Sequence, residues 1–392
     1  MSDTATLEIF VITLPGMEDA LSVEACEMGF DVAGTTPGGV SLRGDWTEVW
    51  RANLALRGAT RVLVRLGSFM AFHLAQLDKR ARKFPWADTL RPDVPVRVDV
   101  ATSRKSKIYH AGAATERIEK ALTDSAGIAI ATDAPVILKV RIDDNRVTIS
   151  VDTSGEPLFK RGWREDKGDA PLKETLAAAM LAAAGWRGTA EHGGALHDPC
   201  CGSGTIAIEA AQIACGIAPG LQRRFAFERL LAFATPEMRA LMQRLKSRAQ
   251  ARAHAPAVPI SASDVSFRML DFARRNAQRA GVAEAIDFHG GDALERAAPA
   301  LPPDLHGTLM LNPPYGERLG EKDELRLLYH QLGEVLVREF SGWQAAVFTS
   351  DLELGKAIGL RSHKRYALWN GALAAHLLLF DLVDNQLRPL PQ

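Results

Sequence analysis

A short turn in the carboxy-terminal half of the sequence carries residue types that can hold a planar amino group. The turn is Asn312-Pro313-Pro314-Tyr315, and the run before it, 308–311, predicts a short buried strand. Proline cannot extend a sheet ladder, so the chain must turn out at the carboxyl end of that strand. The Asn312 side chain and the Pro313 carbonyl can accept hydrogen bonds, and the Tyr315 ring can stack. Asn312, Pro313 and Tyr315 are therefore the predicted catalytic residues, with an ordinary proline-rich turn as the alternative.

A glycine-rich turn upstream predicts a site for a nucleoside with a positive amino group. It reads Asp198-Pro199-Cys200-Cys201-Gly202-Ser203-Gly204-Thr205, between a predicted strand and a helix with apolar residues at helical spacing. Gly202 and Gly204 allow close approach of the backbone, and the helix N-terminus presents free N–H groups. The glycine spacing fits neither the phosphate loop nor the dinucleotide motif. The Asp198 carboxylate suits S-adenosylmethionine (SAM) and suits a pyrophosphate poorly.

Two further acids end the next two predicted strands. Asp264 could accept from both ribose hydroxyls, and Asp292, followed by Ala293, could accept from the adenine amino group. Each acid alone is more often a helix N-cap, and Asp264 is also predicted to cap the helix over 266–280. The ordered series of polar residues at strand ends nevertheless predicts SAM binding and methyl transfer. The predicted cofactor contacts are Asp198, Cys200, Gly202, Gly204, Thr205, Asp264, Asp292 and Ala293.

Four stretches resemble the class I SAM-dependent methyltransferases that modify guanine N2 in RNA. They are 171–179, the glycine-rich turn, 312–318 and the Leu-Trp-Asn-Gly-Ala-Leu segment at 368–373. With the amino-terminal half included, the chain is similar to the 23S ribosomal RNA (guanine-N2)-methyltransferase group, whose members carry an RNA-binding THUMP domain in front. The resemblance implies methylation of a guanine in 23S ribosomal RNA, or in transfer RNA. It also implies that Thr175 lies under the methionine end of SAM.

Other functions stay open at this point. A protein glutamine N5-methyltransferase also uses an Asn-Pro-Pro-Tyr turn, although the RNA-type amino-terminal half and Gly316-Glu317-Arg318 argue against it. Adenine N6 or cytosine N4 methylation of DNA uses similar turns, which the four-residue motif alone does not exclude. The chain could instead be an RNA-binding assembly factor whose enzyme half is vestigial. Such a relic would be free to lose the series of acids, whereas this sequence keeps it.

The pattern predicts an α/β chain with a Rossmann-like class I methyltransferase domain, whose seven-stranded sheet ends in an antiparallel hairpin. The hairpin prediction rests on Asn370-Gly371 between two alternating runs. Preceding it we expect α+β ferredoxin-like and THUMP domains. The predicted divisions are 1–66 for the ferredoxin-like module, 67–153 for the THUMP domain (with a start near 45 as the variant), 154–170 for a linker, and 171–392 for the methyltransferase domain with a helical insertion at 216–258.

The distribution of charge indicates a nucleic-acid partner, although the net charge does not. Lys plus Arg and Asp plus Glu number 47 each, yet residues 79–120 hold eleven basic and five acidic side chains. The loop 103–109 resembles part of the THUMP domain and could meet phosphates. A solvated basic loop is the alternative. The predicted RNA contacts are Arg104, Lys105, Lys107, Lys160 and Arg161.

The cysteine pattern predicts reduced thiols in the cytoplasm. The four cysteines form no CxxC pair and lack matching histidine spacing, so no metal site is expected. The first residues lack a basic region followed by an apolar span, so neither secretion nor a membrane segment is expected. No obligate protein partner is inferred.

Overall fold

The computed structural model describes residues 6–168, 171–302, 305–314, 322–383 and 387. This described part divides into two compact units, each built on its own seven-stranded sheet. The first unit takes the described residues of Met1–Thr13, Leu21–Leu158 and Arg223–Arg248. The second takes the described residues of Leu14–Ala20, Phe159–Gln222 and Ala249–Gln392.

Ten α-helices lie in the described part of the chain. They are α1 (Glu18–Glu27), α2 (Trp46–Ala55), α3 (Leu74–Ala81), α4 (Ala111–Ala126), α5 (Glu174–Ala183), α6 (Thr205–Ala214), α7 (Pro236–Gln250), α8 (Phe267–Arg279), α9 (Lys322–Glu339) and α10 (Leu352–Ala357). None of the helices in the described part of the chain is both long and apolar enough to cross a lipid bilayer.

One sheet spans the predicted ferredoxin-like and THUMP modules of the first unit. Its strands are β1 (Leu7–Ile12), β2 (Asp31–Thr36), β3 (Gly39–Gly44), β4 (Arg61–Met70), β5 (Val96–Thr102), β6 (Val136–Asp143) and β7 (Arg146–Asp152). They lie in the order β2-β3-β1-β4-β7-β6-β5. Strand β4 pairs with β1 on one side and with β7 on the other, so the predicted boundary at residue 66 falls inside a central strand.

The sequence alternation explains how this sheet packs. In β6, Leu138, Val140 and Ile142 are buried, whereas Lys139 and Arg141 between them point to the opposite, more exposed face. Each strand of this kind places its apolar side against the core and its charged side toward solvent. Strand β2 was not predicted, because Asp31-Val32-Ala33-Gly34-Thr35-Thr36 lacks such an apolar row and is largely exposed.

The middle of the predicted insertion, residues 223–248, belongs to the first unit. Phe225, Phe227 and Met242 are buried in the core that also holds Trp50 of α2. The rings of Trp50 and Phe227 stack with centroids 5.8 Å apart. Apolar anchors therefore hold this stretch in place.

The second sheet confirms the predicted Rossmann-like arrangement. Its strands are β8 (Ala195–Asp198), β9 (Ile260–Asp264), β10 (Asp287–Gly290), β11 (Gly307–Leu311), β12 (Gln344–Thr349), β13 (Lys364–Asn370) and β14 (Leu373–Asp381). The order is β10-β9-β8-β11-β12-β14-β13. The first five are parallel, and β14 and β13 form the predicted antiparallel hairpin.

Strand β8 is the point at which the chain reverses its direction across the sheet. It pairs with β9 on one side and with β11 on the other, and all four of its residues are buried. Parallel strands covered on both faces have such continuous burial. Open α/β sheets hold ligands in the crevice at the carboxyl ends of the strands beside this point.

Candidate active site

The carboxyl edge of the second sheet brings the predicted polar residues together. Asp198 and Asp264 end β8 and β9, Asn312 follows β11, and Asp292 follows β10. The register pairs Asp264 with Gly290 and Asp198 with Ala262, so the strand ends lie side by side. Across the edge the acids and the amide therefore run in the order 292, 264, 198, 312.

Asp198 is a buried carboxylate with unused hydrogen-bonding capacity. The residue has no exposed surface, and neither carboxylate oxygen has a hydrogen-bond partner within the described residues. Burial raises the pKa of Asp198 well above its ordinary value, and the nearby Asp264 charge adds to the rise. The backbone N–H groups of Cys200 and Ala207 oppose this rise without reaching hydrogen-bond geometry. A buried polar group left in this state favours a cationic ligand that would restore its charge.

The glycine loop, residues 201–204, is shaped by left-handed backbone and by close packing. Gly202 has φ +54° and Gly204 has φ +88°. A Cβ on Gly204 would lie 3.0 Å from the Ala273 Cβ of α8, whereas a Cβ on Gly202 would meet nothing within 4 Å. Gly204 is thus needed for packing against α8, and Gly202 faces open space next to the strand ends.

Asp264 ties this loop to the end of β9. Its Oδ2 accepts from the Gly202 N–H at 2.8 Å, and its Oδ1 accepts from the Ser266 N–H at 2.9 Å. The prediction that Asp264 caps α8 is wrong, because Ser266 is the N-cap and accepts from the Met269 N–H. A carboxylate has about four lone-pair sites, so Asp264 can still accept from a ligand.

The remaining predicted cofactor residues flank this edge. Asp292 is exposed and its Oδ1 accepts from the Leu294 N–H at 2.9 Å, while Ala293 beside it is half-buried. Cys200 is half-buried, and burial raises the pKa of its thiol, which keeps it neutral. Thr205 begins α6, and Thr175 in α5 is buried with no hydrogen-bond partner for its hydroxyl in the described ranges.

Asn312 carries an acceptor oxygen at the end of β11, next to β8, which leads into the glycine loop. The residue is half-buried, and its Oδ1 is buried with no hydrogen-bond partner among the residues described. Pro313 is buried and has no N–H that could compete for an acceptor. Tyr315 lies outside the described residues, so its predicted stacking role stays a prediction.

The predicted RNA contacts divide into exposed and buried side chains. Arg104, Lys105 and Lys107 are exposed on a loop of the first unit, which the Lys107 N–H anchors by donating to Asn145 Oδ1 at 2.9 Å. Lys160 in the second unit is exposed as well. Arg161 is only 2% exposed and forms an ion pair with buried Glu209, so the structure does not support an RNA contact for it.

Sequence reasoning missed three polar residues behind the site. Arg164 donates to Thr205 Oγ1, Glu174 lies beside Arg164, and Asn276 donates to the Ser203 carbonyl of the glycine loop. Glu174 lies in the 171–179 stretch, of which only Thr175 was predicted to lie near the cofactor. For Asn276, a polar residue on the apolar stripe of α8 was the available signal.

Two family models match this chain. Residues 161–378 match the model described as RMKL-like, methyltransferase domain. Residues 8–63 match the model described as RlmL ferredoxin-like domain, which confirms the predicted ferredoxin-like module.

Individual relatives match nearly the full chain. Ribosomal RNA large subunit methyltransferase K/L from Syntrophotalea carbinolica is 38% identical over 390 residues, which are 97% of this chain and 54% of that protein. The chain therefore spans about half the length of the curated relatives that it matches. A solved structure described as a possible methylase from Clostridium difficile 630 gives a TM-score of 0.84 at 29% identity and covers 99% of both chains. The protein SMU.472, crystallised with S-adenosylhomocysteine, gives 0.82 at 28% identity and covers 98% of this chain and 99% of its own.

Proposed function

The chain belongs to the RMKL-like methyltransferase family, and on that premise we propose that it methylates the exocyclic N2 of a guanine in structured RNA. The second unit has the class I methyltransferase fold, with the strand order and final hairpin described above. The RNA we propose is 23S ribosomal RNA, because the similar full-length relatives are named as methyltransferases of large-subunit ribosomal RNA. We place the reaction in the cytoplasm, as the cysteine pattern predicts.

The cofactor of this methyltransferase is SAM, and the residues present fit it. When bound, SAM supplies a methyl group on a sulfonium, which is a strong electrophile. The unpartnered, buried Asp198 carboxylate is suited to the positive amino group of the methionine end. Asp264 has lone pairs left for ribose hydroxyls, and Gly202 leaves room for close backbone approach.

The observation that supports an amine as methyl acceptor is the free oxygen of Asn312. An exocyclic amine is a weak nucleophile because its lone pair is delocalised into the ring. Asn312 Oδ1, which lacks a hydrogen-bond partner in the described part of the chain, can accept from one amine hydrogen, and the Pro313 carbonyl can accept from the other. Both contacts would localise the lone pair and stabilise positive charge as the new bond forms. Holding the acceptor in line with the methyl group adds to the rate enhancement. We assign no general base, and the proton lost from the methylated amine passes to solvent.

The guanine must leave its helix to reach this edge. Extruding a paired base costs a few kcal/mol, which a stacking partner offsets. Tyr315 is the proposed stacking residue, since it follows Asn312 and the two prolines directly in sequence.

Nucleoside mass spectrometry on a deletion strain tests the proposed function. We expect N2-methylguanosine to be missing from one position of 23S ribosomal RNA and restored by the cloned gene. Loss from transfer RNA instead would reassign the substrate. If both RNAs kept all their N2-methylguanosine while a methylated glutamine or a DNA base disappeared, the RNA proposal would be wrong.

The basic loop of the first unit gives a separate prediction about RNA affinity. Replacing Arg104, Lys105 and Lys107 together by Ala should weaken RNA binding because three exposed cations that can neutralise phosphates are lost. The slope of log affinity against log salt should become shallower by roughly 2 to 3, at about 0.7–0.9 per lost phosphate contact. Filter binding at several salt concentrations measures this slope.

The matched control removes three exposed cations from the second unit: Arg338, Lys356 and Arg361. That variant should keep the wild-type slope. Equal slopes for the loop variant and the wild type would rule out the loop as a phosphate contact. SAM affinity should be unchanged in both variants, because neither removes a residue of the carboxyl edge.

A further inference from the structure

Residues 159–168, predicted as part of a linker, are packed into the second unit by two arginines whose side chains are at most 10% exposed. The Arg161 Nε lies 3.1 Å from Glu209 Oε1, and the two residues are 2% and 0% exposed. Trp163 between the arginines is 1% exposed. A segment that only connected two domains would not bury charge in this way, because moving ions out of water costs several kcal/mol each.

Arg164 joins this segment to the starts of two helices. Its Nη2 donates to the Thr205 hydroxyl at 2.7 Å and to the Leu172 carbonyl at 2.6 Å. Its Nε lies 3.1 Å from Glu174 Oε1. One guanidinium therefore fixes the first residue of α6, the chain entering α5 and the first residue of α5.

The Glu174 carboxylate depends on Arg164 to stay ionised. Burial raises the pKa of Glu174 to about 7, and the Arg164 guanidinium opposes that rise. Glu209 adds to the rise and Arg161 opposes it, so two acids and two arginines share the space under α6. Removing Arg164 would leave a buried acid, a hydroxyl and a carbonyl with one partner fewer each.

Asn276 joins the same segment to the glycine loop from the other side. Its Nδ2 donates to the Ser203 carbonyl at 3.1 Å and to the Asp166 carbonyl at 2.9 Å. Its Oδ1 accepts from the N–H groups of Glu165 and Asp166, both at 3.3 Å. Asn276 is fully buried in α8, so its orientation is set by these contacts.

We propose that Arg164 and Asn276 are positioning residues, which hold the glycine loop and the start of α6 in the shape that takes up the methionine end of SAM. The inference rests on the proposed function and adds residues that do not themselves touch the cofactor. Gly202 and Gly204 lose more conformational freedom than other residues would when the glycine loop becomes ordered. Contacts that order the loop in advance remove that loss from the cost of binding.

Equilibrium binding of SAM and of S-adenosylhomocysteine to the full chain, measured by calorimetry, tests this role. Arg164→Gln should raise the Kd of both by roughly 10- to 100-fold, by analogy with the loss that follows when the partner orienting a metal ligand is removed. Arg164→Lys should give a smaller increase, because a lysine keeps the charge but cannot contact Thr205, Leu172 and Glu174 together through a rigid fork. The KM for RNA should stay at the wild-type value in both variants.

Arg275→Gln is the matched control. Arg275 Nη2 lies 2.7 Å from Asp166 Oδ1, so it contacts the same segment, but its side chain is 43% exposed. Within the described residues its side chain contacts Asp166, Asp271 and Phe272, and not the glycine loop, α5 or α6. Its loss should leave the Kd of SAM within about twofold, as expected for a surface ion pair.

Asn276→Asp keeps the test decisive where Arg164→Gln does not fold. It retains the acceptor Oδ1 and loses the donor to the Ser203 and Asp166 carbonyls, so a raised Kd in the folded variant supports the inference. Folded Arg164 and Asn276 variants with wild-type Kd values would overturn it. If the wild type itself binds neither SAM nor S-adenosylhomocysteine, the proposed function fails and the inference fails with it.

Discussion

Asn312→Ala should lose about 10²–10³-fold in kcat, the loss seen when one group that stabilises charge at a reaction centre is removed. The affinity for SAM should stay within about twofold of the wild type, as expected when a mutation removes an interaction made only in the transition state. The fold should also tolerate the change. Asn312 Oδ1 has no hydrogen-bond partner in the described residues, so its removal orphans no donor there. Single-turnover methylation with saturating SAM and RNA measures the chemical step directly.

Asn312→Asp is the informative companion variant. It keeps an acceptor oxygen at the same place, so its activity should lie between those of the wild type and of the alanine variant. A large increase in the Kd of SAM in either variant would contradict the assigned role, because Asn312 would then be a cofactor contact. Full activity of Asn312→Ala would remove the amide from the chemistry altogether.

Asp198→Asn should have opposite effects on cofactor affinity and on stability. Affinity for SAM should fall by roughly 10- to 100-fold, because a hydrogen bond to a charged group contributes about 1.5–3 kcal/mol. The free energy of unfolding without cofactor should rise at neutral pH, because the buried, unpartnered carboxyl destabilises the folded state, either as a charge or through the proton that it must take up. Urea denaturation and calorimetric binding measure the two quantities separately.

The pH dependence of this gain has a definite sign. Burial raises the pKa of Asp198 above its ordinary value of 3.8, so the folded state binds the proton more tightly than the unfolded state. The stability that this tighter proton binding contributes to the wild type is complete below the ordinary pKa of 3.8. It is lost as the pH rises through the raised pKa of the folded state. The difference between Asp198→Asn and the wild type should therefore grow as the pH rises. Asp271→Asn, an exposed acid on α8, should show neither effect, and unchanged SAM affinity in Asp198→Asn would refute the carboxylate contact.

The second sheet was predictable because proline, glycine and Asn-Gly turns mark the ends of several of its strands. The strand predicted before the glycine-rich turn is observed as β8, because an apolar run followed by Pro199 and two glycines indicates a strand that ends at the turn. The hairpin of β13 and β14 was likewise fixed by Asn370-Gly371. The edge residues Asp198, Asp264 and Asn312 followed from the rule that ligands lie at strand ends.

What sequence could not supply were contacts between residues that are distant along the chain. Arg161 looked like an RNA-binding residue because a basic and aromatic run is typical of such surfaces, yet its partner, Glu209, lies 48 positions away. Asp264 was taken as a helix cap because acids usually fill that position, and its bond to Gly202 spans 62 positions. Side-chain partners over such separations depend on packing, which local pattern does not encode.

The shared core of the first unit sets an order for its synthesis. Phe225, Phe227, Leu230 and Met242 pack into a core whose other buried members lie before residue 159. A ribosome must therefore translate β8 and α6, which belong to the other unit, before the amino-terminal unit has all of its apolar residues. An expression fragment that stops at residue 158 would leave Trp50 without its stacking partner and expose apolar surface prone to aggregation.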